Sequence, residues 1–218
     1  MTRFAEVRKL FHNALTANGL YAGKCKRLWM GDQAYYLIAV ELQPYHDVGF
    51  FVNMGVKFLW GEMAQHYEFT FSHNHRISPD NGNPVGAIFY DSPTFEEEVA
   101  QLLEKTLRTL ERYRQLQDLC VMSVQLYNRR DLFYWTNRED YQKTNYEFAV
   151  IEMLRGNMDV AIPIFQNVQE NNPFARECLQ HCSSTEEFKT YITECICQNR
   201  LAFEVQYGYR FPKIESII

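Results

Sequence analysis

The chain has 218 residues, 46% of them hydrophobic and 15% aromatic, with 14 Tyr and 16 Phe, and its formal net charge is −5. That apolar content excludes a disordered chain and supplies a core for one large or two small domains. Lys and Arg are scattered without a basic run, which argues against nucleic acid as a partner because phosphate neutralisation needs clustered cations.

Residues 2–18 space Phe4, Val7, Leu10, Phe11, Ala14 and Leu15 at helical intervals with charges between them. This predicts an amphipathic helix ended by Gly19, not a leader peptide. No window approaches the roughly 20 apolar residues of a membrane span, so no membrane partner is expected and a cytoplasmic protein is.

Two strands are predicted next, over 24–31 and 34–43, joined by a tight turn at Gly31 and Asp32. In the second, Tyr36, Ile38, Val40 and Leu42 share one face, while Tyr35, Leu37, Ala39, Glu41 and Gln43 share the other. Residues 48–60 alternate most clearly, with Val48, Phe50, Val52, Met54, Val56 and Phe58 opposite Phe51, Asn53 and Lys57. Over 66–77, Tyr67, Phe69, Phe71, His73, His75 and Ile77 stand opposite Glu68, Thr70, Ser72, Asn74 and Arg76. A turn follows at S-P-D-N-G-N-P, then a short strand at V-G-A-I-F-Y.

At Thr94 the period changes. T-F-E-E reads as a capping box, and Glu96, Glu97 and Glu98 suit the positive end of a helix. Val99, Leu102, Leu103, Leu107, Leu110 and Leu116 make a stripe over roughly thirty residues, predicting a long helix beside the first on the sheet. Residues 126–140 break the pattern. Helices are then predicted over 139–155, 159–171, 174–182 and 185–206, with Ser184 and Glu187 as a second capping box. The expected fold is α+β: an antiparallel sheet of four to five strands flanked by an N-terminal helix and a long middle helix, followed by an all-helical C-terminal tail. The α+β domain is assigned to 1–136 and the helical extension to 137–218.

Within the tail, Ala149, Gly156, Ala161, Phe165, Val168 and Pro173 are spaced like the second half of a tetratricopeptide unit, though Glu152 stands where an aromatic is usual. A helical hairpin packed on its own domain and a peptide-binding groove both fit.

Six cysteines occur, Cys25, Cys120, Cys178, Cys182, Cys195 and Cys197, with no C-x-x-C pair. Cys178 and Cys182 flank His181, and Cys195 and Cys197 fall on different helix faces. These spacings do not converge four ligands on zinc, so buried free thiols in a reducing compartment are expected.

The segment F-S-H-N-H-R-I raises the question of a site. His73 and His75, at i and i+2 on a strand, share a face and could ligate a metal if His66, Asp80 or Asp91 supplied a third donor. With Arg76, beside Asp80 or Glu68, they could serve a metal-dependent or hydrolytic enzyme. Equally, they continue the apolar side of Phe69 and Phe71 and could be satisfied histidines at a sheet margin. No H-E-x-x-H, phosphate loop, nucleophile elbow or G-x-G-x-x-G is present, and no cofactor is expected. The opposite side of the sheet offers Tyr35, Glu41, Gln43, Phe51, Asn53, Lys57, Asn74 and Arg76 as candidate binding-surface residues. Mixed aromatic, amide and charged groups of this kind suit a protein or an anionic ligand, although a solvated or helix-covered face would carry the same residues.

The segments F-A-E-V-R-K-L-F-H-N-A-L-T-A-N-G-L-Y-A-G-K-C-K-R-L-W-M, Y-Y-L-I-A-V-E-L-Q-P-Y, F-F-V-N-M-G-V-K-F and H-Y-E-F-T-F-S-H-N-H-R-I-S-P occur in that order, followed by F-E-E-E-V-A-Q-L-L-E-K-T-L-R-T-L-E-R-Y. Over about residues 3 to 120 this resembles the bacterial family catalogued as domain of unknown function 4304. The resemblance implies an α+β domain without an assigned reaction, hence no catalytic residue to carry over. Arg76 and Ile77 match that family's strand-end motif, with His75 where a charged residue is common. The function expected is a non-enzymatic protein-binding module, of which an inhibitor that neutralises a toxin is one form, with another protein as partner. The alternatives are the His73/His75/Arg76 enzyme and a peptide scaffold built on the helical tail.

Overall fold

The computed structural model describes residues 2–22, 27–61, 73–80, 86–128, 145–208 and 210, without the side chains of His73, Asn74, His75, Asn128, Gln206 and Tyr207. Cys25, His66 and most of the predicted strand before His73 lie outside the described residues, as do 129–144. The strands are β1 (Tyr21–Ala22), β2 (Leu28–Asp32), β3 (Tyr36–Tyr45), β4 (Gly49–Phe58), β5 (His73–Ile77) and β6 (Ile88–Phe89). The helices are α1 (Arg3–Ala17), α2 (Phe95–Arg114), α3 (Leu119–Asn128), α4 (Tyr146–Leu154), α5 (Met158–Val168), α6 (Pro173–Gln180) and α7 (Thr185–Tyr207). The fold is α+β, with an antiparallel sheet ordered β1-β2-β3-β4-β5 and β6 paired to the start of β4.

Alternation in β3 and β4 decides the layering. The register sets Ile38 opposite Val56, Val40 opposite Met54 and Leu42 opposite Val52, and all six are fully buried. This first face carries α1 and α2. Trp29 Nε1 donates to His12 Nδ1 of α1 at 3.3 Å, and the Phe4 ring of α1 meets Phe50 edge-on at 6.3 Å. Tyr36 donates its hydroxyl to the Tyr113 carbonyl of α2 at 2.6 Å, while burial pushes that phenol far above its usual range. Helix α1 closes with two capping bonds, Leu20 N–H to the Leu15 carbonyl at 2.9 Å and Gly19 N–H to that of Thr16 at 3.0 Å. Arg114 at the end of α2 donates to the Asn18 carbonyl and so ties the two helices together.

Among the described residues, the second face is covered over one half only. Arg200 of α7 reaches Asp32 with two bonds, Nη2 to Oδ2 at 2.5 Å and Nη1 to Oδ1 at 3.1 Å, and also donates to the Ala34 carbonyl at 2.6 Å. Asn199 donates to the carbonyls of Leu59 and Gly61 at 2.8 and 2.9 Å. Beneath these bonds Leu37 and Ala39 are fully buried, and Lys57 is buried near Glu147 of α4. Burial pulls the Lys57 ammonium below its ordinary pKa, with Glu147 opposing the shift.

Several local expectations need correction. The β2–β3 turn lies at Ala34–Tyr35, not at Gly31 and Asp32, which are the last residues of β2. Ala34 adopts φ 68, a left-handed conformation unusual for alanine, and its N–H is held by Asp32 Oδ1 at 3.0 Å. The long leucine stripe is not one helix. Helix α2 has 20 residues, then Gln115–Gln117 tighten into a 3-10 turn and Asp118 extends at ψ 118. Asp118 Oδ1 then accepts from Cys120 N–H at 2.7 Å and Val121 N–H at 3.3 Å, capping α3. Thr94 does not cap α2 through a backbone amide. Its hydroxyl and that of Ser92 converge on Glu98 Oε1 at 2.9 and 3.1 Å. Ser184 does cap α7, accepting from Glu187 N–H at 3.1 Å.

Gly49 permits the close approach of β6, for an added Cβ would overlap the Ile88 carbonyl oxygen. Gly49→Ala is expected to separate β6 from β4 and cost about 1–3 kcal/mol in urea unfolding. Arg200→Ala leaves Asp32 buried without its cation and is expected to cost about 3–5 kcal/mol at neutral pH. Desolvation raises the Asp32 pKa above its ordinary 3.8, with Arg200 opposing. Neutral Asp32 is therefore the form that folding favours, and its contribution is fully present below about pH 3.8 and lost as pH rises through the raised folded value. The cost of Arg200→Ala should shrink in urea titrations taken to acid pH, where the stranded carboxyl is protonated.

Candidate functional site

The structure divides the predicted binding surface. Tyr35 sits in the turn, where strand alternation no longer applies. Its ring stacks on Trp60 at 5.5 Å and its hydroxyl donates to the Leu116 carbonyl at 2.5 Å, so it anchors the chain beyond α2. Lys57 lies under α4. Glu41, Gln43, Phe51, Asn53 and Arg76 remain together on the half of the second face that the described helices leave uncovered.

These residues are ordered by one another. Register places Asn53 between Glu41 on β3 and Arg76 on β5. Asn53 Nδ2 donates to Glu41 Oε2 at 3.1 Å and to Gln43 Oε1 at 2.9 Å. The Arg76 guanidinium lies over the Phe51 ring, 3.6 Å from its centroid, and Tyr45 meets the same ring edge-on at 4.9 Å. Phe51 is thereby closed off at 5% exposure, while Arg76 and Gln43 are exposed and Glu41 and Asn53 half-buried. The result is a flat, preorganised patch of one carboxylate, two amides and a stacked cation. It can form hydrogen bonds and ion pairs but holds no activated nucleophile.

The strand register pairs His73 with Val56, Asn74 with Gly55 and His75 with Met54. Their side chains lie outside the described residues, so the register is all that places them. Among the described residues no three His, Cys, Asp or Glu side chains gather as a metal site. No helix of the described residues is long and apolar enough to cross a membrane. Of the thiols, Cys178 and Cys182 are buried and Cys195 partly so, while Cys120 and Cys197 are exposed. Desolvation pushes the Cys182 thiol up to about 11, the opposite of what a reactive thiolate needs.

A second feature was not foreseen. A cleft of about 460 Å³ lies along the edge of the sheet, lined by Arg76, Ile77 and Ser78 after β5 and by Lys105, Arg108, Thr109 and Arg112 of α2. Lys105 Nζ is fixed by the Ser78 carbonyl at 2.8 Å and Asp80 Oδ1 at 2.6 Å. The sequence signal was present but diluted: Lys105, Arg108, Thr109 and Arg112 recur at helical spacing on one face of α2, although no basic run exists.

Glu152, which displaces the usual aromatic of a tetratricopeptide-like unit, is the centre of a buried network. Its Oε1 accepts from Ser123 of α3 and from Arg155 Nη1 at 2.6 Å, and its Oε2 accepts from Asn157 Nδ2 at 2.6 Å. These bonds join α3, α4 and the start of α5.

No family model matches the chain, and no curated protein or solved structure matches it.

Burial raises the Glu152 carboxyl, but the hydrogen bonds from Ser123, Asn157 and Arg155 outweigh it and leave the pKa below the ordinary 4.5. The ionised form is thus favoured by folding, and its contribution is present above about pH 4.5 and lost as pH falls through the depressed folded value. Glu152→Gln is expected to lower stability by about 1–3 kcal/mol at pH 7. Urea midpoints of parent and variant should converge on acidification as Glu152 itself becomes neutral.

Proposed function

We propose that this protein is a non-enzymatic protein-binding module and that the uncovered half of its second sheet face is the docking surface. The observation that carries this reading is the patch itself. Among the described residues, the C-terminal helices stop short of Glu41, Gln43, Asn53 and Arg76, and the four are held in place by cross-strand bonds and by the Phe51 ring. Ordering side chains on association costs about 0.5–1.5 kcal/mol each, and a surface already ordered avoids most of that cost. An exposed arginine stacked on an aromatic ring is also the kind of group that dominates measured interface energies. The net charge of −5 favours a basic partner, since opposite charge speeds diffusional encounter. A toxin-neutralising inhibitor is one concrete form of such a module.

The test is paired affinity purification from native lysate. Gln43→Arg with Asn53→Arg places two long cations on the patch, while Glu170→Arg alters an exposed residue of the helical layer as a control. A partner should be retained by the parent and by the control, and its recovery should fall about tenfold or more with the patch variant. Absence of any stoichiometric partner, or equal retention by all three proteins, would overturn the assignment.

A further inference from the structure

Glu41 stands on β3, near the middle of the sheet, and is half-buried. Register puts the buried Leu28 of β2 on one side of it and Asn53 of β4 on the other. Among the described residues its carboxylate accepts one hydrogen bond, from Asn53 Nδ2 to Oε2 at 3.1 Å, and makes no ion pair. Two carboxylates inside the fold are matched by guanidinium groups, Asp32 by Arg200 and Glu152 by Arg155. Glu41 meets no such group. Arg76 lies two strands away on the same face, with its guanidinium over the Phe51 ring at 3.6 Å.

The amides beside Glu41 decide what the patch still lacks. A carboxylate only accepts, so the Asn53 group that faces it is the NH2. That nitrogen carries two hydrogens, and both are committed, one to Glu41 and one to Gln43 Oε1 at 2.9 Å. The orientation of the Asn53 amide is thereby fixed. Its Oδ1 and the Glu41 Oε1 are left as acceptors with no donor among the described residues.

We infer that the patch receives a basic side chain of its partner and that Glu41 is the counter-ion. This rests on the reading of the patch as the docking surface. A guanidinium or ammonium brings donors for Glu41 Oε1 and Asn53 Oδ1 together with the charge that Glu41 lacks. A partner carboxylate would meet like charge and oxygens without hydrogens. Partial burial of Glu41 strengthens the pair, because water and salt screen it less than at an open surface. The sign agrees with the net charge of −5, which favours encounter with a basic protein.

Amide NMR of isotope-labelled protein tests the assignment. The probes are the peptides acetyl-Gly-Arg-Gly-amide and acetyl-Gly-Lys-Gly-amide, and the control is the citrulline peptide, an uncharged isostere of the first. The basic probes should shift the side-chain amide resonances of Asn53 and Gln43 in a weak but saturable way. Glu41→Gln keeps an oxygen for Asn53 to bond, so it should retain the circular dichroism of the parent while weakening binding about fivefold or more. Saturable shifts with either basic probe, absent with citrulline and weakened in Glu41→Gln, support the assignment. The stronger of the two probes then tells guanidinium from ammonium. No shift at Asn53 and Gln43, equal shifts with citrulline, or equal binding by Glu41→Gln overturns it. The docking surface itself is judged separately, by loss of the partner in the Gln43→Arg with Asn53→Arg variant, so its chemistry can fail while the surface stands.

Discussion

One buried ion pair determines what this protein shows to its surroundings. Arg200 and Asp32 are separated by most of the chain, yet their contact fixes α7 across the second face of the sheet. A pair at this depth contributes modest net stability, because desolvating two charges offsets most of their attraction. Its value is positional. With Asn199 bonded to the carbonyls beyond β4, it sets how far the helical layer extends over β3 and β4. Everything before that boundary is core, as in Leu37 and Ala39. Beyond it on the same face, Glu41, Gln43 and Asn53 are half-buried or exposed, and Phe51 lies one ring beneath the surface.

The two faces of the sheet were legible to different degrees, and the reason is range. Alternation in β3 and β4 is a local property, so the apolar face of Ile38, Val40, Val52, Met54 and Val56 could be read directly and is the one that α1 and α2 cover. Helix ends marked by Gly19 and Ser184 were equally local. The β2–β3 turn was not, because Ala34 carries no composition signal for a left-handed conformation, whereas Gly31 carries a misleading one. The break at Asp118 was hidden by a leucine rhythm that continues through Leu116. No spacing rule separates Tyr35 and Lys57 from Glu41 and Asn53, since all four were read on one face. Only contacts from distant helices sort them.

The cationic cleft shows the same limit from the other side. Three of its four charges stand at helical spacing and could have been gathered by winding residues 105–112 as a helix. The fourth, Arg76, joins them only because β5 pairs with β4 at the sheet edge beside α2. Arg76 thus belongs to both surfaces, with its guanidinium on Phe51 and its side chain among those that line the cleft.

The turn at Ala34 carries a further implication. Arg200 grips Asp32 and the Ala34 carbonyl at once, while Asp32 holds the Ala34 amide. The strained peptide is therefore clamped by the very group that docks the last helix. Detachment of that helix would free the turn to relax and would loosen the hairpin beneath it. Sheet and helical layer are joined by a latch whose release is shared, so partial melting of one should propagate to the other as a single cooperative event.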